Sequence, residues 1–455
     1  MTYLLRAALL VKSATSRPAA DVDPVPVGSC KEVGLSMDRP PAGRHGTRGW
    51  LRSIGPELVS GASDNDPTNV GTAAAVGAAT GYQLAWLALL VAPLLGVVQM
   101  IAAHVGSVAR SDLQTLTLKR YGRRVAAILL VSVVVVNVVT IAADLQAGAA
   151  GIGLLAGVDS RWLVAPLGLA LIGLLLVGRY DEVVGVLRYL LLGFLAFAAA
   201  AYLAHPDWPQ LMRSSFIPTL SLRRDVIAGA LALLGTMLTS YVYVWETIER
   251  GDEEPPEATT ERQGLARARH GAVIGAVIAA VILWFMFVTA AATLGQQHQA
   301  VATAQDAAKE LRPLAGPLAE NVFAVGLVVS AVVALPVLMA TTAYVVGAEF
   351  DWRRGLSEQV SNAWRFYGVL AASVCLAFAV SLANVSVIGI LVTASVIGGI
   401  GTPIGIALLV LLGRDQAVMG DRRISRPLAV AGWTVATIVA GFGLVYVIGA
   451  ALGKF

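Results

Sequence analysis

Residues 61–71, GASDNDPTNVG, place acidic and amide side chains between two strongly apolar stretches. A carboxylate at membrane depth costs several kcal/mol unless it faces a cavity or a partner, so it marks a candidate functional site. Asp66 and Asn69 offer a carboxylate and an amide oxygen, which hard and borderline divalent cations accept as ligands. Pro67 lacks an N–H and disfavours helix at the preceding residue, so we expect the helix to break and expose carbonyl oxygens to a cavity. The pattern predicts a divalent-cation site, with a kinked helix merely capped by Asp66 as the alternative.

The composition of the chain is that of a polytopic helical membrane protein. Of the 455 residues, 57% are hydrophobic and 14% charged, whereas soluble domains are about 25% charged. The basic residues lie in short loops, which does not indicate nucleic acid as a partner, and no GxxxxGK[ST] motif indicates a nucleotide. Cys30 and Cys375 do not form a disulfide or metal-binding pattern. Without a nucleotide motif, any energy that the protein needs would come from an ion gradient.

Stretches of about 20 mostly apolar residues predict helices that span the lipid bilayer. We predict an all-α protein with a disordered cytoplasmic tail over 1–50 and a membrane domain over 51–452. The domain divides into repeats over about 51–204 and 224–413, followed by one additional helix. The eleven predicted spans lie near 52–79, 83–109, 125–156, 161–178, 184–203, 226–248, 271–295, 318–348, 364–384, 386–412 and 428–451.

The distribution of basic residues predicts the orientation of these spans. With a cytoplasmic N-terminus, 26 of the 33 Lys and Arg residues fall in inner segments and 7 in outer segments. Cytoplasmic loops of membrane proteins carry such an excess. We therefore expect the cytoplasmic membrane as the location, with the C-terminus external.

A second candidate break lies in the sixth predicted span, which matches the first span if the two repeats are inverted. Discontinuous helices at matching positions of two repeats point to the binding site of a transporter. The centre of this span holds a cluster of small and polar residues: Gly235, Thr236, Thr239 and Ser240. Small residues also allow close helix packing, so this cluster alone does not predict a binding site. The prediction rests on its position, which matches that of the first candidate break.

Three segments resemble helices of the Nramp divalent-metal transporters. GPELVSGASDNDPTNVGT is similar to the first helix, whose hallmark is Asp-Pro-Gly-Asn after a Gly-Pro start, while IAADLQAGAAGIGLL and LLGTMLTSYVYVWE resemble the third and sixth helices. The likeness extends from about residue 50 to 450. It implies the five-plus-five inverted-repeat fold of the amino-acid/polyamine/organocation transporters, with helices 1 and 6 broken. It also implies a secondary transporter that moves Mn²⁺, Mg²⁺ or Fe²⁺ by alternating access, without enzyme activity or a resident cofactor.

The resemblance assigns roles to individual residues. Asp66 and Asn69 match the metal-binding Asp and Asn, and Thr236 matches the residue that lends a backbone carbonyl. Asp144 matches an acidic residue of the proton route. The departures from the family pattern are Thr239 for Met, Ser240 for Pro, Tyr241 for His, Ala147 for Glu, Thr68 for Gly, and Ser395 where a Gln often helps the metal.

These departures change the expected chemistry. A hydroxyl at Thr239 is a harder ligand than a thioether, which favours Mg²⁺ or Mn²⁺ over soft metals. On the route Asp144–Tyr241, Ala147 carries no proton and Tyr241 titrates far above neutral pH, so we expect weak or absent proton coupling. Asp144 either accepts a proton or pairs with an arginine. The chain thus resembles a divergent Nramp-related branch, some members of which resemble magnesium transporters.

Two other carboxylates are expected beside the site rather than in it. Asp64 would hold a water molecule or pair with an arginine, and Glu246 would face the inner vestibule or pair with a loop arginine. Two rival functions stay open: an amino-acid or amine transporter of the same fold, and a membrane receptor that transports nothing. Stabilisation by a divalent cation would separate the first interpretation from both.

Overall fold

The computed structural model describes residues 64–177, 196–252, 261–295, 301, 303–308, 316–356, 358–381 and 386–453. Every regular element within these ranges is helical, as the composition predicts. The predicted tail over 1–50, the first half of the first span and most of the fifth span lie outside the described residues.

The helices follow the apolar stretches of the sequence closely. A π-helical turn over Ala291–Gly295 extends the long helix that ends at Ala290. In chain order the helices are α1 (Pro67–Thr80), α2 (Ala85–Ala109), α3 (Leu113–Tyr121), α4 (Arg123–Ala156), α5 (Arg161–Val177), α6 (Ala196–Leu203), α7 (Trp208–Phe216), α8 (Arg224–Met237), α9 (Ser240–Asp252), α10 (Glu261–Ala290), α11 (Ala304–Ala308), α12 (Ala319–Glu349), α13 (Trp364–Ser381), α14 (Val387–Arg414), α15 (Gln416–Met419) and α16 (Arg426–Ala451).

The long helices have the dimensions of membrane spans. Seven helical stretches among the described residues are long and apolar enough to cross a bilayer, and α5 and α13 are shorter apolar helices. The predicted fifth span is described only as α6. The expected total of eleven spans therefore stays a prediction.

Helices at equivalent positions of the two predicted repeats pack against each other. α1 packs on α8, α2 on α10, and α4 along α12. Small residues bring α4 and α12 together: a Cβ on Gly148 would lie 2.8 Å from the Cβ of Ala331, and one on Gly151 would lie 2.7 Å from the carbonyl oxygen of Ala324. Close approach through small residues is how helices associate in lipid. This pairing of equivalents is the arrangement that an inverted repeat predicts.

The described residues show the whole of the second predicted helix break and the C-terminal side of the first. α1 begins at Pro67, and residues 64–66 before it are not helical. In the sixth span α8 ends at Met237 and α9 begins at Ser240, so Leu238 and Thr239 form the break. The Leu238 carbonyl, which leaves the helix here, accepts a hydrogen bond of 3.0 Å from the Thr402 hydroxyl of α14.

α8 and α14 touch through their backbones beside the second break. A Cβ on Gly235 would overlap the carbonyl oxygen of Ser395 and the amide nitrogen of Gly399. A Cβ on Gly399 would in turn lie 2.8 Å from the carbonyl oxygen of Leu231. This contact fixes the height of Ser395 on α14 relative to the end of α8.

The contact predicts that Gly235→Ala destabilises the protein. The added methyl group would meet backbone atoms, which cannot rotate away, and overpacking of this kind costs about 1–3 kcal/mol. The melting temperature of the purified protein in detergent measures the effect. Gly441→Ala on α16 is the matched control, since a Cβ there meets no atom within 4 Å. Equal melting temperatures for the two variants would contradict the prediction.

Candidate metal centre

Asp66 lies at the first helix break and is 1% exposed. It is the N-cap of α1, where its Oδ1 accepts a hydrogen bond of 2.8 Å from the backbone N–H of Asn69. Its Oδ2 accepts a bond of 3.1 Å from the hydroxyl of Tyr241 on α9. Asp66 therefore caps α1 with its Oδ1. Its Oδ2 contacts the second broken helix, so capping is only part of the role of Asp66.

Asn69 connects the first break to the second. Its Nδ2 donates to the carbonyl oxygen of Asp64 at 2.8 Å, which holds the non-helical segment before α1. Its Oδ1 accepts a hydrogen bond of 2.6 Å from the hydroxyl of Thr236 near the end of α8. The family resemblance implied a backbone role for Thr236, and the contact of its hydroxyl with Asn69 is an additional finding of the structure.

The second break supplies further oxygen atoms. Thr239 is 3% exposed, and its hydroxyl has no hydrogen-bond partner among the described residues. Of the last four carbonyl groups of α8, that of Leu234 accepts the Leu238 N–H, and the break removes the donors that a continuous helix would give the other three. Buried polar atoms are normally satisfied, so unpaired oxygens at a helix break suit a bound cation.

The donor set of this centre consists of oxygen atoms. No group of three or more His, Cys, Asp or Glu side chains in the described part of the chain could hold a metal ion. Asp66 would supply the charge, while Asn69, Thr239 and the carbonyl of Thr236 would supply neutral oxygens. Such a set fits Mg²⁺ or Mn²⁺ with some retained water, because oxygen ligands suit these ions and Mg²⁺ dehydrates reluctantly.

Ser395 lies beside the centre rather than in its hydrogen-bond network. Its hydroxyl donates to the carbonyl of Leu391 at 3.0 Å and lies 2.7 Å from the hydroxyl of Thr72, one turn beyond Asn69 on α1. These contacts hold α14 against α1. A direct role for Ser395 in metal binding stays a prediction.

Asp144 on α4 is fully buried and contacts the same turn of α1. Its Oδ1 accepts a hydrogen bond of 2.5 Å from the hydroxyl of Thr68, and its Oδ2 has no partner among the described residues. No arginine in the described ranges pairs with it, so the arginine alternative finds no support. Thr68, which was notable only as a departure from the family motif, is the residue that links Asp144 to the centre.

The remaining predicted residues lie next to this network. Asp64 is half-buried and its Oδ2 accepts a hydrogen bond of 3.1 Å from Nε2 of Gln99 on α2. Glu246 pairs with Arg250 one turn along α9, with 2.9 Å between Oε1 and Nε. Sequence reasoning missed Gln99, although a glutamine inside an apolar span was a usable signal.

The family model described as natural resistance-associated macrophage protein-like matches residues 57–449. The chain belongs to the Nramp family. A divalent metal cation transporter MntH of Deinococcus radiodurans is 26% identical to it over 405 residues, which cover 88% of this chain and 90% of that protein.

Solved structures agree with this Nramp assignment at the level of fold. A manganese transporter of Eremococcus coleocola superposes with a TM-score of 0.70 at 18% identity, covering 91% of this chain and 89% of that one. Mhp1, a nucleobase-cation-symport-1 family transporter, superposes with a TM-score of 0.56 at 13% identity, covering 87% and 92%. The all-helical inverted-repeat architecture that the sequence predicts is therefore confirmed.

The oxygen-only donor set predicts how the centre responds to a soft ligand. Thr239→Met should raise the affinity for Cd²⁺ relative to Mg²⁺ by about tenfold, since a thioether prefers the softer ion. Competition between the two ions for purified protein measures the ratio. Thr434→Met, at an exposed position of α16, is the matched control and should leave the ratio unchanged. Much tighter binding of Cd²⁺ than Mg²⁺ by the unmodified protein would refute the hard-site argument.

Proposed function

We propose that this Nramp protein moves a divalent metal cation across the membrane by alternating access, with Asp66 and Asn69 as the central binding pair. One observation carries the proposal: both residues sit at the first helix break and are hydrogen-bonded to residues on either side of the second break, Thr236 and Tyr241. An ion bound between the breaks therefore contacts elements of both repeats. The MntH relative and the E. coleocola structure, whose names specify divalent metal and manganese, support the substrate class.

We assign Mg²⁺ or Mn²⁺ as the preferred substrate, with Fe²⁺ as a further member of the same class. The argument is the chemistry of the donors, which are carboxylate, amide, hydroxyl and carbonyl oxygens. The protein acts in the cytoplasmic membrane, with the basic segments on the cytoplasmic side.

Alternating access requires one set of helices that moves and another set that stays in place. α4 and α12 pack along each other through small residues and suit the static part. α1 and α9 each begin at a break and carry Asp66 and Tyr241, so a change in their angle would open the centre to one side.

The geometry argues against the amino-acid transporter as the alternative. Transporters of this fold receive a substrate carboxylate at the N-terminus of a half-helix. In this chain the carboxylate of Asp66 already caps the N-terminus of α1, where it accepts the Asn69 amide. A second carboxylate there would meet a like charge, whereas a cation would meet an opposite one.

The test of this proposal is uptake of Mn²⁺ into liposomes. Asp66→Ala should abolish uptake because it removes the central charge, and Asn69→Ala should weaken apparent affinity less because it removes a neutral oxygen. Asp225→Ala is the control, since Asp225 pairs with Arg223 at the start of α8, away from the breaks. Unchanged uptake in Asp66→Ala would refute the proposed site. If uptake is lost, an unchanged melting temperature shows that the cause is the missing charge and not unfolding.

We further infer that transport is weakly coupled to protons or uncoupled. Asp144 is the sole titratable carboxylate at the matched route positions, and its described partner is the neutral Thr68. The membrane potential alone would then drive the ion inward, at about 2.3 kcal/mol per charge per 100 mV. Internal pH during uptake into liposomes should stay constant. Acidification that follows metal entry and disappears in Asp144→Asn would contradict this inference.

A further inference from the structure

A second pair of carboxylate and amide side chains lies beside the first. Asp64 precedes Asp66 by two residues, and its Oδ2 is bonded to Nε2 of Gln99 at 3.1 Å. The backbone carbonyl of Asp64 accepts the amide of Asn69 at 2.8 Å, so the two pairs share a connection. Asp64 with Gln99 thus repeats the ligand chemistry of Asp66 with Asn69.

The side-chain oxygen of Gln99 is an acceptor without a hydrogen-bond donor in the described part of the chain. The residue is 6% exposed, and no donor among the described residues reaches its Oε1. A buried acceptor without a donor costs about 1–3 kcal/mol. The same carboxamide bonds to Asp64 through its nitrogen, so the unpaired oxygen lies next to the Asp64 carboxylate, where a cation would use it.

The surrounding charges favour a cation. Asp66 lies two residues along the chain from Asp64, so two carboxylates stand close together at the start of α1. Like charges repel strongly where water is scarce, so a divalent ion beside Asp64 would relieve the repulsion.

We propose that Asp64 and Gln99 form a second binding site for a hydrated divalent cation, next to the Asp66–Asn69 centre. The proposal rests on the proposed transport function and specifies a waiting position for the same substrate. With two protein oxygens the ion keeps most of its water, which suits Mg²⁺ and makes this site weaker than the central one. Asn69, which contacts Asp64 and Thr236, connects the two positions.

The number of Mn²⁺ ions bound per chain tests the proposal. Electron paramagnetic resonance of free Mn²⁺ added to the full-length protein in detergent should give two bound ions, one tight and one weak. Asp64→Asn keeps an acceptor for Gln99 but removes the charge, so it should lose the weak ion and keep the tight one. Asp225→Asn, which removes a carboxylate away from the breaks, should keep both.

Two Gln99 variants make the test independent of a single substitution. Gln99→Glu adds a carboxylate oxygen beside Asp64 and should bind the weak ion about tenfold more tightly. Gln99→Leu removes the amide oxygen and should lose the weak ion, even if Asp64→Asn fails to fold. A single bound ion in the unmodified protein, or two ions in both Asp64→Asn and Gln99→Leu, would overturn the second site.

Counting bound ions and measuring uptake together distinguish a failure of the second site from a failure of the proposed transport function. Asp66→Ala should lose the tight ion together with uptake. If it does so while the unmodified protein binds one ion, the second site is wrong and the transport function stands. If Asp66→Ala keeps both the tight ion and uptake, the central site itself is wrong.

Discussion

A carboxylate buried at membrane depth needs hydrogen-bond donors, and Asp66 obtains them from both broken helices. The backbone N–H of Asn69 comes from its own helix, and the hydroxyl of Tyr241 comes from α9. The first donor is available because α1 begins at Pro67, and the second because α9 begins directly beyond the second break. The two breaks, and the packing of α1 against α8 that sets them side by side, are therefore conditions for keeping this charge in the protein.

Neutral hydroxyl groups contact each of the acidic and amide side chains at the candidate centre. Thr68 bonds to Asp144, Thr236 bonds to Asn69, and Tyr241 bonds to Asp66. Each of these side chains donates an O–H to an acceptor that is also suited to a metal ion. A cation that enters the centre competes with these hydroxyl groups, so affinity is a difference between two sets of oxygen contacts rather than a sum of new ones.

Much of the architecture could be predicted from the sequence because membrane spans obey simple rules of length and apolarity. The start of α1 follows from Pro67, and the bounds of α4 and α14 agree with the predicted stretches within a few residues. The partners of the site residues could not be predicted, since they depend on which face each helix turns inward. Gln99 and the Thr236 hydroxyl are examples, because their roles come from the packing of α2 and α8 against α1. The local sequence around Pro67 identified Asp66 and Asn69, and the resemblance gave them matching roles. The second break contains no proline, so its exact position could not be predicted in the same way.

The bond between the Leu238 carbonyl and Thr402 has a mechanical consequence. It ties the two-residue break to α14, so any swing of α9 turns about a fixed pivot. Tyr241 lies close to that pivot, whereas the far end of the 13-residue helix lies about 18 Å away at 1.5 Å per residue. A rotation that barely alters the Tyr241–Asp66 distance therefore displaces the far end by several times as much. In the proposed transport cycle, a small rotation at this pivot would therefore be amplified into a larger displacement at the far end of α9.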